Sequence, residues 1–324
     1  MKRADRRSSC WLAAVALGVA CGQQPSSESA PRVDVVFDDP SFARLGPPRP
    51  GSWRTHVDEP GQSFADYQAA NPNRPTSARG TLVLLPLGPY PRAAILPDDL
   101  PSVKLEEDGF VSFVFSPAPG DLAEFLASFY GLPTRIEPER PFDSLGLAPA
   151  RMHDHHAQFD ARELLSALGP TLPEDAYSMT ALVVRDVVVD ERQQFAYGYG
   201  LHVDRLALVS FAQLDSRFAG GADSPEFQTR IRERSHKLLA HEVGHTLGFG
   251  HCDVHECVMN GVANLDELDA TPLHLCPECL RKLLWLVDVD LVQRYRELAR
   301  YYEAHGLASE LAWVRARIDR LSAN

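Results

Sequence analysis

Between residues 241 and 251 the chain reads His-Glu-Val-Gly-His-Thr-Leu-Gly-Phe-Gly-His, a spacing that few folds can accommodate. On an α-helix His241 and His245 lie one turn apart and project from one face, close enough for both imidazoles to meet a single tetrahedral cation. Glu242 sits beside them. It is not placed to be a third ligand of that geometry, but it can take a proton from water on the cation, as a general base does. Gly248 is predicted to stop the helix by adopting the left-handed conformation, and the turn then brings His251 back as the third ligand.

Directly after His251 come Cys252, Cys257, Met259, Cys276 and Cys279, so the run continues as Cx4C, CxM and a closing CxxC. Such spacings are those of zinc-binding loops. From the residues alone, two disulfides or a redox pair at Cys276 and Cys279 remain as alternatives. HExxHxxGxxH followed by a methionine is the metzincin signature. Joined to the four cysteines, it resembles the archaemetzincins, a branch of the metzincin zinc peptidases with a second zinc on four cysteines. The sixteen residues between Met259 and Cys276 are one fewer than that family's interval. A weaker likeness runs through residues 151–168 and 177–214, so that about two-fifths of the chain is covered.

The resemblance implies two Zn2+ ions: a catalytic one on His241, His245 and His251, and a structural one on Cys252, Cys257, Cys276 and Cys279. Glu242 would be the general base and Met259 the Met-turn residue beneath the ligands. The implied fold is α+β: a metzincin-like zincin domain of twisted mixed β-sheet with an active-site helix, a zinc-stapled C-terminal subdomain and a terminal helical hairpin. The implied activity is that of a metallopeptidase acting on a peptide or protein through a zinc-activated water. A non-catalytic zinc-binding lipoprotein and an amidase acting on cell-wall material are the alternatives, and the presence of Glu242 argues against the first. Some metzincins support the oxyanion with a tyrosine just after the methionine turn, but here no tyrosine falls between Tyr199 and Tyr295.

The formal charge of −12 comprises +3 from residues 1–20 and −15 from the remainder, which leaves no basic patch and excludes a nucleic-acid partner. Lys2, Arg3, Arg6 and Arg7 precede an apolar run from Trp11 to Ala20, too short to span a bilayer, and then Cys21-Gly22. This predicts a signal peptide of lipoprotein type over 1–20, with lipidation at Cys21 and attachment to the bacterial envelope, the outer membrane favoured. Plain secretion remains open. Cys10 would be removed in either case. Residues 21–51 read as a flexible tether, with Val33–Phe37 as a short strand inside it, 52–287 as the catalytic domain and 288–324 as the hairpin. The chain is read as a monomer that meets the membrane through its lipid alone.

Within the domain, strands are predicted at Thr81–Pro86, Phe110–Ser116, Met179–Arg185, Phe195–Gly200 and Leu206–Ala212. Helices are predicted at Leu122–Tyr130 with Asp121 as cap, at Gln158–Leu168, and from a Ser224 cap to Gly248. Leu239, Val243 and Leu247 form the core stripe of that long helix. After the CxxC, Leu280–Val289, Asp290–Glu303 and Leu307–Leu321 read as helices. Gly198 and Gly200 are read as glycines of an edge strand on which a substrate backbone can lie. His153, His155 and His156 read as a solvated loop and His236 as a surface residue. His255 and His274 are set aside as ligands because four cysteines already complete a tetrahedron.

Overall fold

The apolar run Thr81–Gly88 forms the central strand of the sheet, and all of it except Thr81 is buried. Successive side chains point to opposite faces. Leu82 and Leu84 accordingly join one hydrophobic core, and Val83, Leu85 and Leu87 join the other. The computed structural model describes residues 37, 39–91, 99–190, 193–219, 221 and 225–323. The expected signal segment, Cys21, the expected strand up to Val36 and the expected Ser224 cap lie outside them.

In chain order the elements are α1 (Trp53–His56), α2 (Phe64–Ala69), β1 (Thr81–Gly88), β2 (Ser102–Glu107), β3 (Phe110–Phe115), α3 (Pro119–Tyr130), β4 (Thr134–Ile136) and β5 (Arg140–Pro141). There follow β6 (Arg151–His153), β7 (His156–Asp160), α4 (Ala161–Leu168), β8 (Ala176–Val183), β9 (Asp186–Val188), β10 (Gly198–Leu201) and β11 (Leu206–Ser210). The helices α5 (Phe227–Thr246), α6 (Leu265–Ala270), α7 (Pro277–Leu286), α8 (Leu291–Ala304) and α9 (Ala308–Ser322) complete the chain. The six-stranded sheet runs β10-β11-β8-β1-β4, with β5 also paired to β1. Every pairing in it is parallel except that of β10, which lies antiparallel to β11 at the edge. This is the α+β architecture with a mixed sheet that the sequence predicted.

One face of the sheet packs against α4, and the other carries α3, α5 and the C-terminal helices. Tyr295, Tyr301 and Tyr302 of α8 are buried in that second core, so the terminal hairpin shares the domain's interior. The end of the expected tether also packs: Phe42 lies edge-on to Trp313, and Asp39 pairs with Arg317 and Arg320 of α9. Among the described residues no helix is long and apolar enough to cross a membrane.

Several boundaries differ from expectation for local reasons. Residues 158–160 remain in strand β7 because they pair with Asp186–Val188, and Asp160 then caps α4 by accepting from the amides of Arg162 and Glu163. Helix α3 starts earlier, at Pro119, whose fixed φ suits a first turn; Asp121 lies inside that turn. Strand β2 escaped the sequence reading because its outward residues Lys104 and Glu106 interrupt an apolar pattern, yet it pairs with all of β3.

Candidate active site

Helix α5 is the long helix the sequence demanded, and Leu239, Val243 and Leu247 are buried along it as predicted. It ends as predicted too. Gly248 has φ +86°, its amide donates to the His245 carbonyl, and the Phe249 amide donates to that of Gly244. These are the two bonds of a Schellman cap, which needs the left-handed residue that glycine supplies. The cap reverses the chain, and His251 returns to the two helical histidines.

His241, His245 and His251 offer ligand atoms within 4.8 Å of one another. His241 Nε2 and His245 Nε2 stand 3.0 Å apart. Each Nδ1 is engaged elsewhere: that of His241 with the Val258 carbonyl at 2.8 Å, and that of His245 with the Phe249 carbonyl at 2.8 Å. The Nδ1 of His251 meets Oε2 of Glu59 at 2.7 Å. A carbonyl or carboxylate oxygen can only accept, so each Nδ1 carries the proton and each Nε2 presents a lone pair to the cluster. Burial, with the neighbouring imidazoles, pushes His241 well below the usual histidine pKa and His245 down to about 4, so both rings are neutral donors at pH 7. A cationic metal suits this donor set.

Glu242 is 5% exposed, and its Oε2 has no hydrogen-bond partner. Desolvation raises its pKa to about 8. A buried carboxylate without a donor is costly, whereas a cation and its water beside it would relieve that cost.

Strand β10 lies against this helix, and its glycines do something other than expected. A Cβ on Gly198 would stand 2.5 Å from Glu242 Oε1, and one on Gly200 would stand 2.7 Å from His245 Cβ and 2.8 Å from the Glu242 carbonyl. The glycines let the active-site helix approach the strand. Met259 is fully buried, and a Cβ on Gly244 would meet its sulfur at 2.5 Å. It therefore packs against α5 at Gly244, which lies between the two helical histidines.

Cys252, Cys257, Cys276 and Cys279 converge, with sulfur atoms within 4.8 Å of one another. All four are free cysteines, Cys252 Sγ and Cys276 Sγ being 3.5 Å apart. Hydrogen bonds from Cys257, Cys276 and Cys279 favour the Cys252 thiolate, while burial holds the Cys257 thiol up. Four sulfurs around one point with this internal conflict fit a soft tetrahedral cation, which would take all four as thiolates. His274 instead stacks on Trp313 at 3.8 Å, and neither it nor His255 belongs to the cluster. Asn260 ties the loop by accepting from the Cys257 amide and donating to the carbonyls of Cys252 and His255.

Two histidine readings are corrected. His236 is fully buried, bonded to the Arg232 carbonyl and the Tyr301 hydroxyl, because α8 and Phe125 of α3 cover that face of α5. His156 is 2% exposed and stacks on Phe218 at 3.8 Å, while His155 stays exposed. Sequence reasoning also missed Glu59, Arg234 and Asp269. The Arg234 guanidinium forks onto the Asp269 carboxylate at 2.6 and 2.7 Å and donates to the Leu214 carbonyl, bracing α5 two turns before the histidines.

Residues 172–284 match the family model described as Peptidase family M54. Over 200 residues the chain is 30% identical to archaemetzincin-2 of Pongo abelii, covering 55% of this chain and 56% of that one. Over 201 residues it is 30% identical to archaemetzincin-2 of Homo sapiens, with the same coverages. The matched region therefore spans little more than half the length of these curated relatives. A solved archaemetzincin from Methanopyrus kandleri is 22% identical, with 66% of this chain and 99% of that chain covered and a TM-score of 0.43. The segment that matches the peptidase family M54 model contains all seven converging histidines and cysteines and Glu242, and over that segment the chain is similar to the archaemetzincins.

Proposed function

We propose that the chain is a zinc-dependent metallopeptidase that hydrolyses peptide bonds, with Glu242 as the general base. One observation carries the reading. Three histidines with fixed tautomers turn their free nitrogens to a single point, beside a buried carboxylate whose Oε2 lacks a partner. His241, His245 and His251 would hold the zinc, which would supply Lewis acidity towards a water and the scissile carbonyl. A cation held by these histidines would lower the pKa of Glu242 from the value set by burial, leaving its carboxylate available to accept a proton. Once protonated, the same buried site favours the neutral acid until the proton passes to the leaving amine. Strand β10, at the antiparallel edge of the sheet, is the backbone along which a peptide would lie.

A second zinc on Cys252, Cys257, Cys276 and Cys279 would be structural, fixing the loop that carries His251 and Met259. The basic start, apolar run and Cys21 support export of the chain and anchoring by lipid at Cys21 to the bacterial envelope. A Cys21→Ser chain should then leave the membrane fraction.

The test is cleavage of a mixed peptide library by the full chain, with cell-wall material in the same panel. Glu242→Gln should keep its zinc and lose about 10²–10⁴-fold in rate. Zinc-loaded wild type that cuts no peptide removes the reading, and one that cuts wall material alone replaces it with the amidase.

A further inference from the structure

The imidazoles of His241 and His245 are held by carbonyls close to the motif, but that of His251 is held from 192 residues away, by the Glu59 carboxylate. Glu59 belongs to a strap, residues 52–69, that lies outside the segment matched to the peptidase family. The strap has little interior of its own: α1 buries no residue and α2 buries only Tyr67. It is nevertheless fastened at the glycine turn that delivers the third histidine. The Gln62 side chain accepts from the Gly250 amide at 3.0 Å and donates to the Gly248 carbonyl at 3.2 Å. Lys282, 1% exposed, locks that amide by donating to Gln62 Oε1 at 2.9 Å and to its backbone carbonyl at 2.6 Å. Tyr67 donates to the Leu247 carbonyl at 2.8 Å, and the Trp53 ring meets the edge of His251 at 5.0 Å.

We propose that this strap is a working part of the histidine metal centre, with Glu59 as the positioning residue for His251. The inference rests on the zinc reading above and adds to it a residue that the family segment does not contain. Its physical basis is that a carboxylate accepting from Nδ1 fixes the ring's tautomer and orientation and raises the basicity of the liganding nitrogen, more than a neutral carbonyl does. His251 is the ligand that needs this. His241 and His245 are set by a rigid helix, whereas His251 follows a glycine turn and is held by the loop and the strap.

The experiment compares wild type, Glu59→Ala and Glu59→Gln as full chains stripped of metal. Zn2+ is titrated against a competing chelator, and Co2+ is used in parallel to identify which site fills, since a four-thiolate site and a three-histidine site differ in their absorption. Glu59→Ala should weaken the histidine site by about 10–100-fold and leave the cysteine site unchanged, the latter serving as a control within the same molecule. Glu59→Gln should recover part of the loss, because an amide oxygen still accepts from Nδ1. The thermal midpoint of the metal-free protein should not move. Equal histidine-site affinity in wild type and Glu59→Ala overturns the inference. Parallel weakening of both sites with a lower metal-free midpoint also overturns it, by showing a general structural role. Wild type that binds no metal on its histidines would instead overturn the zinc reading, and this inference with it.

Discussion

Replacing Gly198 with alanine tests the contact between β10 and the active-site helix at its tightest point. The added Cβ would lie 2.5 Å from Oε1 and 2.6 Å from both Cδ and Cγ of Glu242, whereas ordinary contact begins at 3.4 Å. The carboxylate side chain must therefore retreat by about 1 Å, the scale on which misplacing a catalytic group costs roughly 10²-fold in rate. That loss corresponds to about 2.7 kcal/mol in the barrier. The clash falls on a side chain, so the fold should lose only about 1 kcal/mol. Gly200→Ala is the contrasting case: its Cβ meets the Glu242 carbonyl at 2.8 Å, and backbone cannot rotate aside. That variant should lose about 1–3 kcal/mol of stability, with strand and helix pushed apart. The assay is kcat on a cleaved peptide, with zinc content and thermal midpoint measured on the same samples. A zinc-loaded Gly198→Ala enzyme with wild-type kcat would refute the reasoning.

The remaining predictions concern the supports of the site. Burial lowers the pKa of His236 to about 4 from the usual histidine value of 6.5, so the unfolded chain binds more protons between those values. Its contribution is thus complete above about pH 6.5 and is lost as pH falls towards 4, a total of roughly 3 kcal/mol at about 1.4 kcal/mol per unit. Denaturant titrations at pH 7 and pH 4.5 should show a smaller difference for His236→Gln than for wild type; an equal difference would place the acid sensitivity elsewhere. Arg234→Met keeps the aliphatic stem but removes both bonds of the fork to Asp269, which is partly hydrated and keeps Arg230 at 3.5 Å, and should cost about 1–3 kcal/mol in urea unfolding. A cost below about 0.5 kcal/mol, the size of an ordinary surface substitution, would show that the pair does not brace α5.

The site was legible in the sequence wherever its chemistry is local in the chain. His241, Glu242 and His245 occupy one turn and Gly248 is one cap, so spacing places them together; the four cysteines fall into two short pairs, whose meeting was implied by the family resemblance. Glu59 left no such signal: it lies in a Pro-rich stretch without periodicity, and its partner is 192 residues away. His236 was misread because α5 has an apolar stripe that accounts for one face, and only the tertiary packing of α3 and α8 shows that another face is covered. Gly198 and Gly200 were recognised as sites of close approach, but the sequence could not say which backbone or side chain approaches. At residues 158–160 the strand pairing with β9 overrode a helical pattern, and the Asp160 cap marks where the helix takes over.

Two clusters of ligating side chains, one of histidines and one of cysteines, are proposed to hold one zinc ion each. Zinc per chain, measured on purified wild type and on His245→Ala, tests it most directly. Two zinc ions are expected in wild type and one in the variant, with Cys252, Cys257, Cys276 and Cys279 still protected from thiol reagents. A single zinc in wild type that His245→Ala abolishes, with the four cysteines oxidised in pairs, would contradict it.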